Sequence, residues 1–465
     1  MRRSVSRVLI AAFLALVGGR DGVAADAPPP PNLLVIVIDA QRADHLSSYG
    51  YGRPTSPGLD AFFARGVRFT NAIAASNRTS TSMASFWTGQ LPLRHGVFRR
   101  GDVLREHFAT LGELLGERGY RTAAWCPNPS LDRKLGHSQG WQSYDDDIME
   151  DTGGPEWQRW ETATAINAAA LPWITEKPQQ PFLAWLHYRD VHGPYVPPPP
   201  YDTMFPATTK RPMTPTEVAA RPGYLTIAGD GNDLQYYVSR YDGDTRYADQ
   251  KITELLGELD RRGVLANTVV VITADHGEAF LEHGQWNHDE TLYEEEVHIP
   301  LVIVRPGTRP RVVDRVVSSL DLFPTLLELA GAPPVPSDGQ SLVPLLDGDD
   351  AGYQRTRAFS QSRGRWGSVQ QATRDARWKA VFNDSWAAWF LGMPIELYDL
   401  HADPGQKRNL AGTNVAQAAL LADEHRAAAS APLARGVPAP PRPADAAVPL
   451  SPDLARKLES LGYAE

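Results

Sequence analysis

Asn32-Leu33-Leu34-Val35-Ile36-Val37-Ile38-Asp39 and Thr268-Val269-Val270-Val271-Ile272-Thr273-Ala274-Asp275-His276 are the two stretches that decide the fold. Each is an unbroken apolar run that ends on an acidic residue. A strand of this kind has no polar face, as expected when helices cover both sides of a sheet. Phe182–Leu186 and Leu301–Val304 read the same way. Between such runs lie stretches of helical period: Phe108–Arg118, Tyr247–Arg262 and Asp321–Ala330. Alternation of the two predicts an α/β fold, a large and mostly parallel sheet sandwiched by helices. After about Leu346 the pattern changes to short strand-like pieces, Trp378–Phe382 and Ile395–Leu400, which predict a smaller C-terminal α+β subdomain.

The chain has 465 residues, one cysteine (Cys126) and a net charge of −9. A lone cysteine excludes an intrachain disulfide and a Cys-rich zinc site. The acidic balance argues against a nucleic-acid partner, which requires a basic footprint. Apolar residues make up 42% of the chain, enough for a packed core. The longest apolar run, Val8 to Val17, is too short to span a bilayer, which takes about 20 residues. It follows Arg2, Arg3 and Arg7 and precedes Val23-Ala24-Ala25, the n-region, h-region and cleavage site of a signal peptide over 1–25. The rival reading is an uncleaved anchor. Export to the periplasm or the medium is therefore expected. A Pro-rich spacer, 26–31, follows, then a catalytic domain over 32–345, a subdomain over 346–430 and an Ala/Pro-rich arm with a terminal helix over 431–465. The segment from Pro197 to about Gly231 reads as a surface insertion close to the cleft.

In an open α/β sheet, ligands bind beyond the carboxyl ends of the strands. Asp39, Asp275 and His276 would be delivered there together, as three potential metal ligands. The plain alternative is that both aspartates cap turns. A third element, Ser76-Asn77-Arg78-Thr79-Ser80-Thr81-Ser82-Met83, is a hydroxyl-rich loop running into a helix over about Ser80–Thr88. Thr79 falls at its N-terminal end, where free N–H groups favour an anion, unless it is simply an N-cap.

With these segments go Ile38-Asp39-Ala40-Gln41-Arg42, Pro54-Thr55-Ser56-Pro57, Thr88-Gly89…Pro92…His95-Gly96-Val97, Ala274-Asp275-His276-Gly277-Glu278, Glu282-His283-Gly284…His288, Asp321-Leu322-Phe323-Pro324-Thr325 and Glu396-Leu397-Tyr398-Asp399-Leu400. Taken in order from about Asn32 onward, they resemble the sulfatase family of the alkaline phosphatase superfamily. The resemblance implies an ester hydrolase with one divalent metal ion held by Asp39, Thr79, Asp275 and His276. Two carboxylates, a hydroxyl and an imidazole suit Zn or Mn better than Ca.

The resemblance places the family's nucleophile on Thr79. Sulfatases carry there a Cys or Ser, within a Cys/Ser-x-Pro-x-Arg signature, that is oxidised to formylglycine. Here the stretch is Thr79-Ser80-Thr81-Ser82-Met83, without the oxidisable residue, the Pro or the Arg. Threonine cannot form an aldehyde hydrate, so the substitution points from sulfur to phosphorus. His192-Gly193-Pro194, and His288 thirteen residues after Asp275, match the Thr-dependent relatives, among them the phosphoethanolamine transferases; both histidines are thus implied as catalytic. Asn128, His187 and His283 are further candidates for contacting substrate. Asp190 is a weaker candidate of the same kind, Arg42 and His95 read equally well as structural residues, and the alternative for Asn128 is that it only shapes a turn. The expected substrate is a small-molecule or glycan ester. Two rivals remain open: a transferase acting on envelope glycan or lipid, and a binding protein on an inactive scaffold.

Overall fold

The computed structural model describes residues 29–99, 101–148, 162–207, 209–229, 231–363, 369–383 and 395–431. The proposed signal peptide and the Ala/Pro-rich arm lie outside the described residues.

Among the described residues, ten strands precede the C-terminal subdomain: β1 (Asn32–Ile38), β2 (Val67–Ile73), β3 (Arg121–Trp125), β4 (Ser143–Asp145), β5 (Phe182–Tyr188), β6 (Thr268–Ala274), β7 (Ala279–Phe280), β8 (Trp286–Asn287), β9 (His298–Val304) and β10 (Arg311–Ser318). Eight of them form one sheet in the order β10-β2-β9-β6-β1-β5-β3-β4, and β7 and β8 make a small hairpin. The pairings are parallel except those of β9, which runs antiparallel to both β2 and β6. The sheet is thus mixed but mostly parallel, as the apolar runs predict.

The unbroken character of β1 has a direct cause. Leu33, Val35 and Val37 face one core, shared with Met83, Phe86 and Trp87. Leu34, Ile36 and Ile38 face the other, shared with Ile252, Leu255 and Leu256 of the 28-residue helix Leu234–Arg261. Successive strand side chains alternate sides, so a strand covered twice must be apolar throughout. At about 25 cal/mol per Å² of apolar surface removed from water, this burial is the main stabilising contribution at the sheet's centre.

The C-terminal subdomain is a four-stranded antiparallel sheet, β11 (Ala358–Arg363), β12 (Val369–Arg374), β13 (Trp378–Asn383) and β14 (Ile395–Asp399), with the helix Val415–Ser430 packed on it through Leu421 and Ala418. The fully buried Lys379 joins it to the larger sheet, its ammonium 2.8 Å from the Glu294 carboxylate. That pairing makes burial of the lysine tolerable.

Candidate active site

The register of β1 and β6 builds the site. Ile38 pairs with Ala274, so Asp39 and Asp275 leave the sheet at the same level on neighbouring strands. Ala40 then takes a left-handed φ of 58°, uncommon for a residue with a side chain, and its N–H meets Asp275 Oδ1 at 3.2 Å. Ligand atoms of Asp39, Asp275 and His276 lie within 4.8 Å of one another, and all three residues are buried. His276 Nε2 is 3.6 Å from Asp39 Oδ1 and 3.5 Å from Asp275 Oδ2.

Thr79 reaches this cluster from the other side. It is the first residue of the helix Thr79–Thr88, and its Oγ1 lies 3.1 Å from His276 Nε2. The loop before it is tied down. Asn77 donates to the Thr291 carbonyl (2.6 Å) and to Glu296 (2.7 Å), and the Arg78 guanidinium meets the Asp289 carbonyl (3.1 Å).

Hydrogen bonding settles the state of the imidazoles. His276 Nδ1 is 2.8 Å from the Gly277 carbonyl, which can only accept, so Nδ1 carries the proton. Nε2 is then the nitrogen turned toward Thr79 and the carboxylates, the orientation that metal-binding histidines adopt. His192 Nδ1 likewise donates to the Gly193 carbonyl at 2.7 Å, so its Nε2 faces His288 Nε2, 3.2 Å away, as an acceptor. One proton bridges the two nitrogens. The His288 ring lies 4.1 Å from that of His276, so Thr79, His276, His288 and His192 form a continuous chain. Burial, with Arg189 and His288 nearby, holds His192 well below its ordinary range.

The carboxylates are electrostatically uneven. Burial, and then the charge of Asp275, push Asp39 up to about 6. Burial acts on Asp275 too, but His276 and His187 more than offset it and hold that carboxyl below its usual value. Asp39 Oδ1 is buried without a hydrogen-bond partner. An orphaned carboxylate oxygen beside a second carboxylate is costly unless a cation compensates it. The donor set of two carboxylates, an imidazole lone pair and a hydroxyl is complementary to a divalent transition metal. The residues present therefore fit such an ion.

The other expected residues are placed as follows. Asn128 donates to Asp39 Oδ2 at 2.8 Å, and His187 Nε2 lies 3.5 Å from Asp275 Oδ2; both are fully buried and hold the carboxylates. His283 is engaged elsewhere, between Glu295 (2.6 Å) and the Gln406 carbonyl of the C-terminal subdomain (3.0 Å). Asp190 accepts from the Thr162 and Ala163 N–H groups at the start of a helix, His95 pairs with Ser85, and Arg42 bridges Asp44, Glu282 and the Glu278 carbonyl. The sequence reading passed over Arg189. It is buried, and its charge bears on Asp39, His187 and His192. Its place directly after the end of β5, two residues beyond His187, was the available signal.

The sulfatase family profile matches residues 31–332, and the C-terminal profile of N-sulphoglucosamine sulphohydrolase matches 281–426. This chain belongs to the sulfatase family. The Δ4,5-hexuronate-2-O-sulfatase of Bacteroides thetaiotaomicron is 25% identical to it over 426 residues, 84% of this chain and 86% of that one. Bovine arylsulfatase A is 28% identical over 445 residues, 83% of this chain and 84% of its relative. In structure, the phosphonate monoester hydrolase of Agrobacterium radiobacter superposes with a TM-score of 0.70 at 23% identity, covering 86% of this sulfatase-family chain and 95% of its own. That likeness establishes the shared fold.

Proposed function

We propose that this sulfatase-family protein is an exported, metal-dependent hydrolase of phosphate esters that uses Thr79 as its nucleophile. The observation that carries the reading is the position of the Thr79 hydroxyl at the mouth of the Asp39–Asp275–His276 cluster, 3.1 Å from His276 Nε2. Asp39, Asp275, His276 and Thr79 would hold one divalent ion, Zn or Mn. When bound, such an ion would favour the deprotonated Thr79 hydroxyl and neutralise charge on the group transferred. Thr79 Oγ1 forms a bond to phosphorus as the ester oxygen leaves. The leaving oxygen takes its proton from the His192–His288 pair when the pair carries one extra proton, and the pair is left neutral. The pair recovers a proton from the water that later releases the phosphoryl group and restores Thr79.

Threonine favours phosphorus for a chemical reason. Its reacting carbon bears one hydroxyl, so a sulfated Thr79 would have no second hydroxyl with which to eliminate sulfate. A phosphothreonine is open to in-line attack by water. A sulfate ester is the second reading, favoured by the relatives named as sulfatases. Phenyl sulfate, phenyl phosphate, phosphate diesters and phosphonates assayed under Zn, Mn and Ca decide between them, and added glycerol as acceptor separates hydrolysis from transfer. The expected outcome is fastest cleavage of a phosphorus ester and a phosphoryl mass increment on the Thr79 peptide after acid quenching. Fast sulfate cleavage with no adduct would remove Thr79 as nucleophile.

The signal-like N-terminus supports export. Mass spectrometry of the periplasmic fraction should show a mature chain beginning after Ala25, and an intact N-terminus in the membrane pellet would contradict it.

A further inference from the structure

Among its described residues the segment 197–233 brings no candidate metal ligand to the cluster, yet it touches the chain beside both members of the histidine pair. On the His192 side it packs against Gly193. A Cβ at Gly193 would lie 2.9 Å from the Tyr224 ring and 3.0 Å from Leu225, tighter than real contacts allow. Leu225 is fully buried there. His192 hydrogen-bonds to the carbonyl of this same glycine.

On the His288 side the contact is made through Trp286, two residues earlier. Its indole N–H donates to the Glu217 carbonyl at 3.0 Å, and its ring stands edge-on to Tyr237 at 5.3 Å. Both partners are themselves fixed. Glu217 closes a capping box with Thr214 at the start of the short helix Pro215–Ala219. The Tyr237 hydroxyl donates to the Gly229 carbonyl (2.9 Å). Trp286 also pairs with Phe280 across the β7–β8 hairpin, and the hairpin delivers its next residues, Asn287 and His288, straight into the site.

We propose that Trp286 is a positioning residue, and that the 209–229 segment is the brace it leans on, setting the separation of His192 and His288 from outside the site. A single insertion packs beside each histidine, so the Nε2–Nε2 distance of 3.2 Å depends on where the insertion sits. The inference rests on the reading that this pair handles the leaving-group proton. Misplacing a proton donor by even an ångström is enough to cost rate without touching the metal ligands.

The test is Trp286→Phe, which keeps an aromatic ring toward Tyr237 and removes the N–H together with the pyrrole ring that carries it. Phenyl phosphate and phenyl sulfate are suitable probes, because phenolate leaves poorly without a proton. For purified, metal-loaded protein we expect kcat to fall by about tenfold or more on the hydrolysed ester, with KM within about twofold and metal content unchanged. In a His288→Ala background the same substitution should change kcat by less than about twofold, since the brace then has nothing to place. Wild-type kcat in Trp286→Phe, or an undiminished tenfold loss in the His288→Ala background, overturns the proposal. A His288→Ala variant with wild-type kcat sinks the acid–base reading itself, and the brace with it. Should Trp286→Phe fail to fold, Gly193→Ala against His192→Ala applies the same cycle from the other side.

Discussion

Thr79 owes its place in the cluster to where the helix Thr79–Thr88 begins. Its oxygen lies 3.1 Å from His276 Nε2, and the helix dipole favours negative charge at that end. Thr79→Ser retains the oxygen and should keep partial activity. Thr79→Ala should lose several orders of magnitude in kcat, as covalent nucleophiles do. Asp39→Ala and Asp275→Ala should each strip the metal, read by elemental analysis; full occupancy in both would refute the ligand assignment. Asp39, Thr79, Asp275 and His276 were legible in the sequence because a strand end and a helix start place their first residue with little freedom. Asn128 and His187 were singled out as substrate contacts. Their hydrogen bonds to Asp39 and Asp275 depend on which strands lie side by side, and no local pattern encodes that.

Among the elements, those with a strong period were legible and those fixed by tertiary contact were not. The apolar runs became β1, β5, β6 and β9. β2 and β10 were missed because their sequences, Val67-Arg68-Phe69-Thr70 and Arg311-Val312-Val313-Asp314, interleave polar residues that stay partly exposed near the sheet's edge. The helix expected over Phe108–Arg118 spans only Leu111–Gly116, since Thr110 and Glu113 form a capping box that starts it late. The helix expected from Tyr247 begins at Leu234, its first half hidden by the buried polar residues Asp242 and Asp244. At the joint with the C-terminal subdomain, His283 stacks on Tyr293 at 3.7 Å and has an acceptor at each ring nitrogen. Burial disfavours its charge, but Glu295 outweighs that and raises it above its ordinary 6.5. A raised folded pKa means the stabilisation is complete below the unfolded value and is lost as pH rises through the folded one. The Tm deficit of His283→Gln should therefore shrink as pH rises above 6.5. A deficit constant across that range would show that His283 is not a charged clamp.

For the whole molecule, the decisive feature is that one sheet edge gathers acidic residues from two adjacent central strands. Asp39 and Asp275 are both fully buried, and the sheet that carries them is packed on both faces. Two carboxylates brought this close repel, and neither can turn toward water without breaking the packing of β1 or β6. His187 and Asn128 absorb part of that repulsion, and Asp39 Oδ1 is left without a partner. A cation that binds the folded chain and not the unfolded one stabilises it by mass action, about 2.7 kcal/mol at a hundredfold excess over its Kd. Chelation should then lower Tm by several degrees, and Zn or Mn should restore it in a concentration-dependent way. The same titration on Asp275→Ala should leave Tm flat, since the strand-end pair no longer exists. If chelation and re-addition leave the wild-type Tm unmoved, the fold tolerates its buried acids without a metal, and the cofactor assignment falls even should the enzyme prove active.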